Sequence, residues 1–236
     1  MKTILTALAF AAASFAAQAQ AQPATASVAS TSAPTADAYT TMMTATIAEL
    51  LQTKDAAAVQ TVLDKLGRAA AAKPADWLPR YYLAYGAARQ AYMSKDAELM
   101  DKTLDRAQAD LDQARKLRGD ESELQVLQAY IHQARIMVSP MMRGMKYTAK
   151  VQESLNAAEK ANPANPRIYL LRGNDFYFRP AMFGGGAEAA RPHFLKAKEA
   201  YAAFKPASEL APSWGERQAL GLLKKIDEDA AKASAK

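Results

Sequence analysis

Apolar side chains recur at helical spacing from Asp37 to near the C-terminus. Four segments share a phrase in which a small or β-branched residue is followed four positions later by a large apolar residue and three positions after that by alanine. Successive copies begin 45, 44 and 39 residues apart, a period that is typical of stacked helical repeats. The sequence shows no convincing alternation of apolar and polar residues, so no strand is predicted. The four copies are Val62–Leu66–Ala69, Ala107–Leu111–Ala114, Val151–Leu155–Ala158 and Ala190–Phe194–Ala197.

Turn residues divide this region into four pairs of helices and a solitary last helix. Proline and glycine at the breaks end one helix, and proline is accepted in the first turn of the next. The sequence therefore predicts an all-α domain over 37–230, a right-handed α-solenoid of about four helix pairs with a C-terminal capping helix around Trp214. The predicted helices are 37–52, 55–72, 76–93, 96–117, 121–138, 145–161, 166–178, 187–204 and 213–230.

A second internal match places glycine inside two of the first helices. Residues 79–86 (PRYYLAYG) and 166–173 (PRIYLLRG) are identical at five of eight positions. Glycine in a helix interior costs about 1 kcal/mol relative to alanine. Gly86 and Gly173 are therefore predicted to let a neighbouring helix approach more closely than a Cβ atom permits.

The spacing of aromatic and small residues resembles that of the tetratricopeptide repeat. The resemblance covers 37–206, although each unit is longer than the usual length of about 34 residues. In particular the chain is similar to exported tetratricopeptide-repeat proteins of the Bacteroidetes type, which have no assigned activity. This likeness supports the fold and an exported location. A stacked helical repeat is usually a recognition surface and rarely a catalyst, so a non-enzymatic protein that binds a partner is expected. The fourth unit carries it most clearly, with Tyr169, Gly173 and Phe176 followed by Ala190, Phe194 and Ala197.

Residues 1–21 have the features of a cleaved secretory signal peptide. Lys2 precedes an apolar run over 4–17 that is short for a membrane span, and small residues at 17, 19 and 21 suit cleavage. An uncleaved membrane anchor is the alternative. Residues 22–36 carry no charge and predict a flexible linker, and 231–236 are predicted to form a disordered tail. The protein is expected to be periplasmic or secreted, without a stable membrane span once the signal is removed.

The composition of the chain excludes several kinds of functional site. The chain has no cysteine, which excludes disulfides, thiolate metal sites and cysteine nucleophiles. His132 and His193 lack partners at the spacing of a metal or catalytic site, so we expect no enzyme activity, no catalytic residue, no cofactor and no metal site. Residues 135–196 carry 10 basic and 4 acidic side chains, a balance of +6 that favours acidic partners or alternatively forms only a solvated surface. These basic residues are not interleaved with stacking aromatic residues, so no nucleic-acid partner is expected.

Two predicted turns, in the third and fourth units, have a similar composition. Residues 140–144 (PMMRG) and 179–184 (RPAMFG) each contain proline, arginine, methionine and glycine, and turns of this kind lie along one edge of a helical stack. Exposed methionine adapts to irregular partners, and arginine prefers carboxylate or phosphate. Alternatively, the methionines and Phe183 cover the helix ends, and the glycine run that follows is a tight turn with positive φ. The hypothetical partner-binding residues of this edge are Met141, Met142, Arg143, Arg179 and Phe183.

The groove lined by the first helices is a second candidate surface. Arg167 and Asn174 are placed where, by resemblance, some tetratricopeptide domains clamp the terminal carboxylate of a peptide. Two functions therefore stay open: an exported scaffold or adaptor for an unidentified envelope protein or peptide, and a binding module for an anionic small molecule, lipid or glycan at the basic third and fourth units. The oligomeric state is not predicted. The aromatic residues that either line the groove or belong to the core are Trp77, Tyr81, Tyr82 and Tyr85.

Overall fold

Aspartate or asparagine begins most of the helices. In six of them the capping side chain accepts a hydrogen bond from a backbone N–H of the first turn, which satisfies a donor that the helix itself leaves free. The computed structural model describes residues 37–234, and within this range it contains nine α-helices and no strand, which confirms the all-α prediction. The helices are α1 Ala38–Gln52, α2 Ala56–Ala72, α3 Trp77–Met93, α4 Ala97–Lys116, α5 Glu121–Val138, α6 Pro140–Ala161, α7 Pro166–Phe178, α8 Ala187–Ala203 and α9 Glu216–Ser234, with a short 3-10 turn at Ala181–Phe183.

The helices pack in chain order. Each helix contacts the next one along the chain, and α5 also packs on α3 and on α7. All twelve residues of the repeated phrase are at most 2% exposed, so the pattern found in the sequence is the pattern of the core. Alanine at these positions brings helix backbones close together, and the large apolar residue fills the space beside it.

Gly86 and Gly173 stand where a side chain of a neighbouring helix comes close, as predicted. A Cβ atom on Gly173 would lie 2.5 Å from the ring of Phe194, and one on Gly86 would lie 2.6 Å from a methyl group of Leu63. Both distances are shorter than van der Waals contact. An alanine at either position would therefore force the neighbouring side chain to shift.

The structure differs from the predicted bounds at α6 and α9, whereas the other helices agree within one residue. Helix α6 begins at Pro140 and not at 145, so the predicted turn over 140–144 is helical, because proline suits the first helical position. Helix α9 begins after Trp214 and continues to Ser234, so 231–234 are helical where a disordered tail was predicted. The predicted signal peptide (1–21) and linker (22–36) lie outside the described residues. None of the described helices is both long and apolar enough to cross a membrane.

Candidate functional site

A group of large apolar side chains is exposed where α5, α6 and α7 begin or end. Seven of the eleven large apolar side chains exposed within 37–234 belong to this group, and the other four are spread over α1, α3, α4 and α9. Single exposed apolar residues are ordinary, but a group of this size marks a contact surface. We call it the apolar edge. Its members are Met137 (49% exposed), Met141 (98%), Met142 (84%), Met145 (91%), Phe178 (66%), Met182 (83%) and Phe183 (65%).

The packing of α6 against α7 brings these side chains to the same end of the molecule. The two helices run antiparallel, because Arg172 of α7 bonds to Asn156 of α6, and Asp175 accepts a hydrogen bond of 2.8 Å from Gln152. Continuing this register, Met145 lies about 10 Å before Gln152 along α6, towards the end at which α7 stops. Helix α5 reaches the same end because Ser139 alone separates it from α6.

Helix α6 carries an apolar stripe beside a basic stripe. With about 100° of rotation per residue, Met145 and Met142 lie about 40° and 100° round the helix from Met141, and Lys146 and Lys150 lie at about 140° and 180°. The ammonium groups of the two lysines lie 5.8 and 5.6 Å from the ring centroid of Tyr147. Neither lysine forms an ion pair with a carboxylate of the described residues. Both exposed positive charges are therefore open to an anionic ligand.

The two arginines of the predicted edge are engaged inside the protein. Both terminal nitrogens of Arg143 donate to the carboxylate of Asp101 on α4, at 2.7 and 2.6 Å, and this contact lowers the pKa of Asp101 to about 2. Arg179 donates to Asp175, one turn back on α7. The arginines thus hold the edge in place, and the charges offered to solvent beside it belong to lysines that the sequence hypothesis did not include. Met141, Met142 and Phe183 are exposed as that hypothesis requires, and not tucked under the helix ends.

The groove formed by α3, α5 and α7 is occupied by the chain itself. Residues 204–215, which connect α8 to α9 and are called the strap below, lie against these helices. The indole of Trp214 stacks on Tyr85, with ring centroids 4.8 Å apart, and its Nε1 donates to the hydroxyl of Tyr81 at 2.9 Å. The hydroxyl of Tyr82 donates to the carbonyl of Leu210 at 3.0 Å. These tyrosines therefore belong to the core, and they are at most 7% exposed.

Arg167 and Asn174 are both buried, Arg167 against Phe204 and Trp214 of the strap, which corrects the predicted carboxylate clamp. Arg167 is completely buried, makes a two-pronged ion pair with Glu123 and lies 4.7 Å from the ring centroid of Phe204. Asn174 is 6% exposed, and its Oδ1 has no hydrogen-bond partner. The clamp position is thus filled by the protein's own acidic side chain and strap, so no peptide terminus reaches it in this structure.

Neither histidine lies in a cluster that could bind a metal ion. His132 packs between α5 and α6 with its ring centroid 5.7 Å from that of Tyr147, and burial, with the nearby Lys150 and Arg135, lowers its pKa to about 4. His193 stacks on Phe176, with ring centroids 4.7 Å apart. Within 37–234 no three side chains of the His, Asp and Glu type come together.

The sequence hypothesis named three of the nine exposed side chains of this surface, Met141, Met142 and Phe183, and its second turn also contained Met182. The five side chains that it missed are Met137, Met145, Lys146, Lys150 and Phe178. The missing signal is the start of α6, because a helix beginning at Pro140 places Met141, Met142 and Met145 on its first two turns, before the segment whose face buries Val151 and Leu155. Treating 140–144 as a turn removed that periodicity.

Comparison with solved structures gives an informative match. No family model and no curated protein sequence matches the chain. Among solved structures, the HusA haemophore from Porphyromonas gingivalis is similar, with 34% sequence identity and a TM-score of 0.72. The match covers 82% of this chain and 94% of the haemophore chain. Porphyromonas belongs to the Bacteroidetes, the group indicated by the sequence resemblance.

Proposed function

Because this chain belongs to the same protein family as the HusA haemophore, we propose that it is a non-enzymatic carrier that binds haem or a related porphyrin on the apolar edge. The observation that carries the proposal is the exposure of seven methionine and phenylalanine side chains beside two unpaired lysines. The sequence left two functions open. Of these, the binding module for an anionic small molecule at the basic third and fourth units is closer to this proposal than the scaffold or adaptor.

The chemistry of the edge matches that of a porphyrin. A porphyrin such as haem is a flat apolar ring with two carboxylates on one side. Methionine side chains adapt to a flat apolar surface, and Phe178 and Phe183 offer rings against which it can stack. Lys146 and Lys150 are four residues apart on α6, which puts their Cβ atoms about 5–6 Å from each other. The two ammonium groups are therefore spaced to meet two neighbouring carboxylates.

Two finer features belong to the same proposal. Helices α1 to α8 form four tetratricopeptide-like pairs, supported by the repeated phrase in the core and by the glycine of α7 packed against the phenylalanine of α8. The protein is exported to the periplasm or beyond, supported by the signal-like composition of residues 1–21. A carrier outside the cytoplasm has access to haem that the cell has not yet taken up.

A protein partner on the apolar edge is the second candidate, and the adaptability of exposed methionine favours it. A peptide in the groove is not proposed, because the strap fills that position. A direct measurement of haem binding to the purified protein distinguishes the two candidates.

The test is a titration of the purified protein with haem, followed by the change in the absorbance of the porphyrin. We expect saturable binding that weakens by about tenfold or more when Met141, Met145 and Phe183 are together changed to Gln, since each loses about 1 kcal/mol or more of apolar contact. Charge reversal by Lys146→Glu with Lys150→Glu should weaken binding and remove most of its dependence on salt.

Matched variants control for general effects. Met42→Gln changes an exposed methionine of α1, and Lys160→Glu reverses a charge at the far end of α6; both should bind haem as the unchanged protein does. Absence of haem binding by the unchanged protein would overturn the proposal and leave the protein partner. If the control variants weakened haem binding equally, the haem site would not be on the apolar edge.

A further inference from the structure

We propose that Met141, Met142 and Met145 form a binding site for Cu(I), with the three thioether sulfurs as ligands. This inference does not rest on haem binding, because it follows from the spacing, exposure and chemistry of three side chains on α6. It assigns a metal to a position where the sequence, searched through its histidines and carboxylates, predicts none.

The three methionines share one face of α6. Met145 is four residues after Met141 and three after Met142, and side chains at these two spacings are neighbours on a helix surface. Met145 lies about 40° round the helix from Met141 and about 60° from Met142, so it stands between the other two. Each is at least 84% exposed, so no packing contact has to be broken for the sulfurs to converge. The unbranched methionine side chain has three rotatable bonds and can make this adjustment.

The surroundings of this face select a soft ion. Thioether sulfur is a ligand for Cu(I), whereas Mg²⁺ and Ca²⁺ require oxygen ligands. Asp101, which pairs with the first turn of α6, is already bound by Arg143 and Arg135. Lys146 and the positive end of the helix dipole oppose every cation at this position. An ion that gains only electrostatic attraction is therefore repelled, and one that forms bonds to sulfur is retained.

The first two turns of α6 hold the backbone of the site. The ion pair of Arg143 with Asp101 fixes the first turn to α4, and Ser139 joins α6 directly to α5. The ligands thus project from an anchored helix end, and only their side chains need ordering. The chain contains no cysteine, so no thiolate competes with the thioethers for Cu(I).

Two measurements test the site on the purified protein without haem. Cu(I) is titrated under anaerobic reducing conditions against a chromophoric Cu(I) chelator, and Ag(I), which has the same softness and no redox chemistry, is added to protein labelled in its methionine methyl groups for NMR. We expect one Cu(I) per chain with micromolar affinity. We also expect Ag(I) to shift the methyl signals of Met141, Met142 and Met145, while Met42 and Met100 stay unchanged.

Leucine variants distinguish the contribution of the thioether sulfur from that of the apolar side chain. Met145→Leu should weaken Cu(I) binding by at least the ~10-fold that follows loss of an outer-shell contact in metal sites, with Met182→Leu as the matched control without effect. Absence of Cu(I) binding, unchanged affinity in Met145→Leu, or Ag(I) shifts confined to other methionines would overturn the inference. None of these results depends on whether haem binds.

Discussion

The groove and the apolar edge contain the same kinds of side chain and use them in opposite ways. Aromatic residues and an arginine line the groove, but the strap covers them and each polar group of Trp214 and Tyr81 has a partner inside the protein. Aromatic residues and methionines also form the apolar edge, and there nothing in the described residues covers them. The residue composition of a surface therefore does not show whether it binds a ligand. What identifies a binding surface is whether the chain provides its own cover.

This difference separates stability from binding. Side chains of the groove should contribute to the free energy of unfolding and little to ligand affinity, and those of the edge should do the reverse. Four substitutions test this division of roles.

Arg167→Met should lower the free energy of unfolding more than the other three substitutions. The change leaves Glu123 buried without its cation, and breaking a buried ion pair in this way costs about 3–5 kcal/mol. Denaturant unfolding followed by circular dichroism measures the loss. The paired change Arg167→Met with Glu123→Leu removes both charges and should recover part of it. A loss below about 1 kcal/mol in the single variant would mean that the groove does not depend on this pair.

Trp214→Phe should cost about 1–3 kcal/mol, because it removes the hydrogen bond to Tyr81 and leaves a small cavity beneath the strap. The chain has two tryptophans, so the remaining emission comes from Trp77 and the buried contribution of Trp214 disappears. Haem affinity should not change. Reduced haem binding in this variant, with the fold intact, would place the ligand in the groove and contradict the comparison.

His132→Phe should alter how stability depends on pH. Burial lowers the pKa of His132 from 6.5 to about 4, so the unfolded chain takes up this proton first. The contribution of neutral His132 is therefore complete above pH 6.5 and is lost as the pH falls towards 4. The free energy of unfolding should therefore vary less between pH 4 and pH 7 in His132→Phe than in the unchanged protein. The control variant His193→Phe should keep the pH dependence that comes from His132. Parallel pH profiles for the unchanged protein and His132→Phe would show that this histidine is not titrated on unfolding.

Met142→Gln should have the smallest effect on stability, within about 0.5 kcal/mol, because the side chain is 84% exposed and glutamine is a good helix former. Thermal unfolding measures it. A destabilisation of about 2 kcal/mol or more would mean that Met142 is covered in solution, contrary to the exposure that defines the apolar edge.

The core and most helix bounds were predictable from the sequence, because periodic apolar residues, the turn residues between helices and Gly86 and Gly173 all report local structure. The edge was predictable only in part. Met141, Met142 and Phe183 were found through their unusual composition, while Met145 and Lys146 were missed because Pro140 was interpreted as part of a turn. The role of Arg167 was not predictable. Its neighbours in sequence suggest a groove, and only the long-range position of residues 204–215 shows that the groove is filled.

The strap has a consequence for how the molecule folds. It joins residues far apart in the chain, from Tyr82 to Leu210 and from Thr44 to Glu209, across separations of 128 and 165 residues. A linear array of repeats contacts only its nearest neighbours and can melt one unit at a time. Here the strap, which follows α8 in the chain, packs on α1 and α3, so the tyrosines of α3 stay uncovered until residues 204–215 are in place. We expect a single cooperative unfolding transition, and loss of that cooperativity when the chain is cut before the strap.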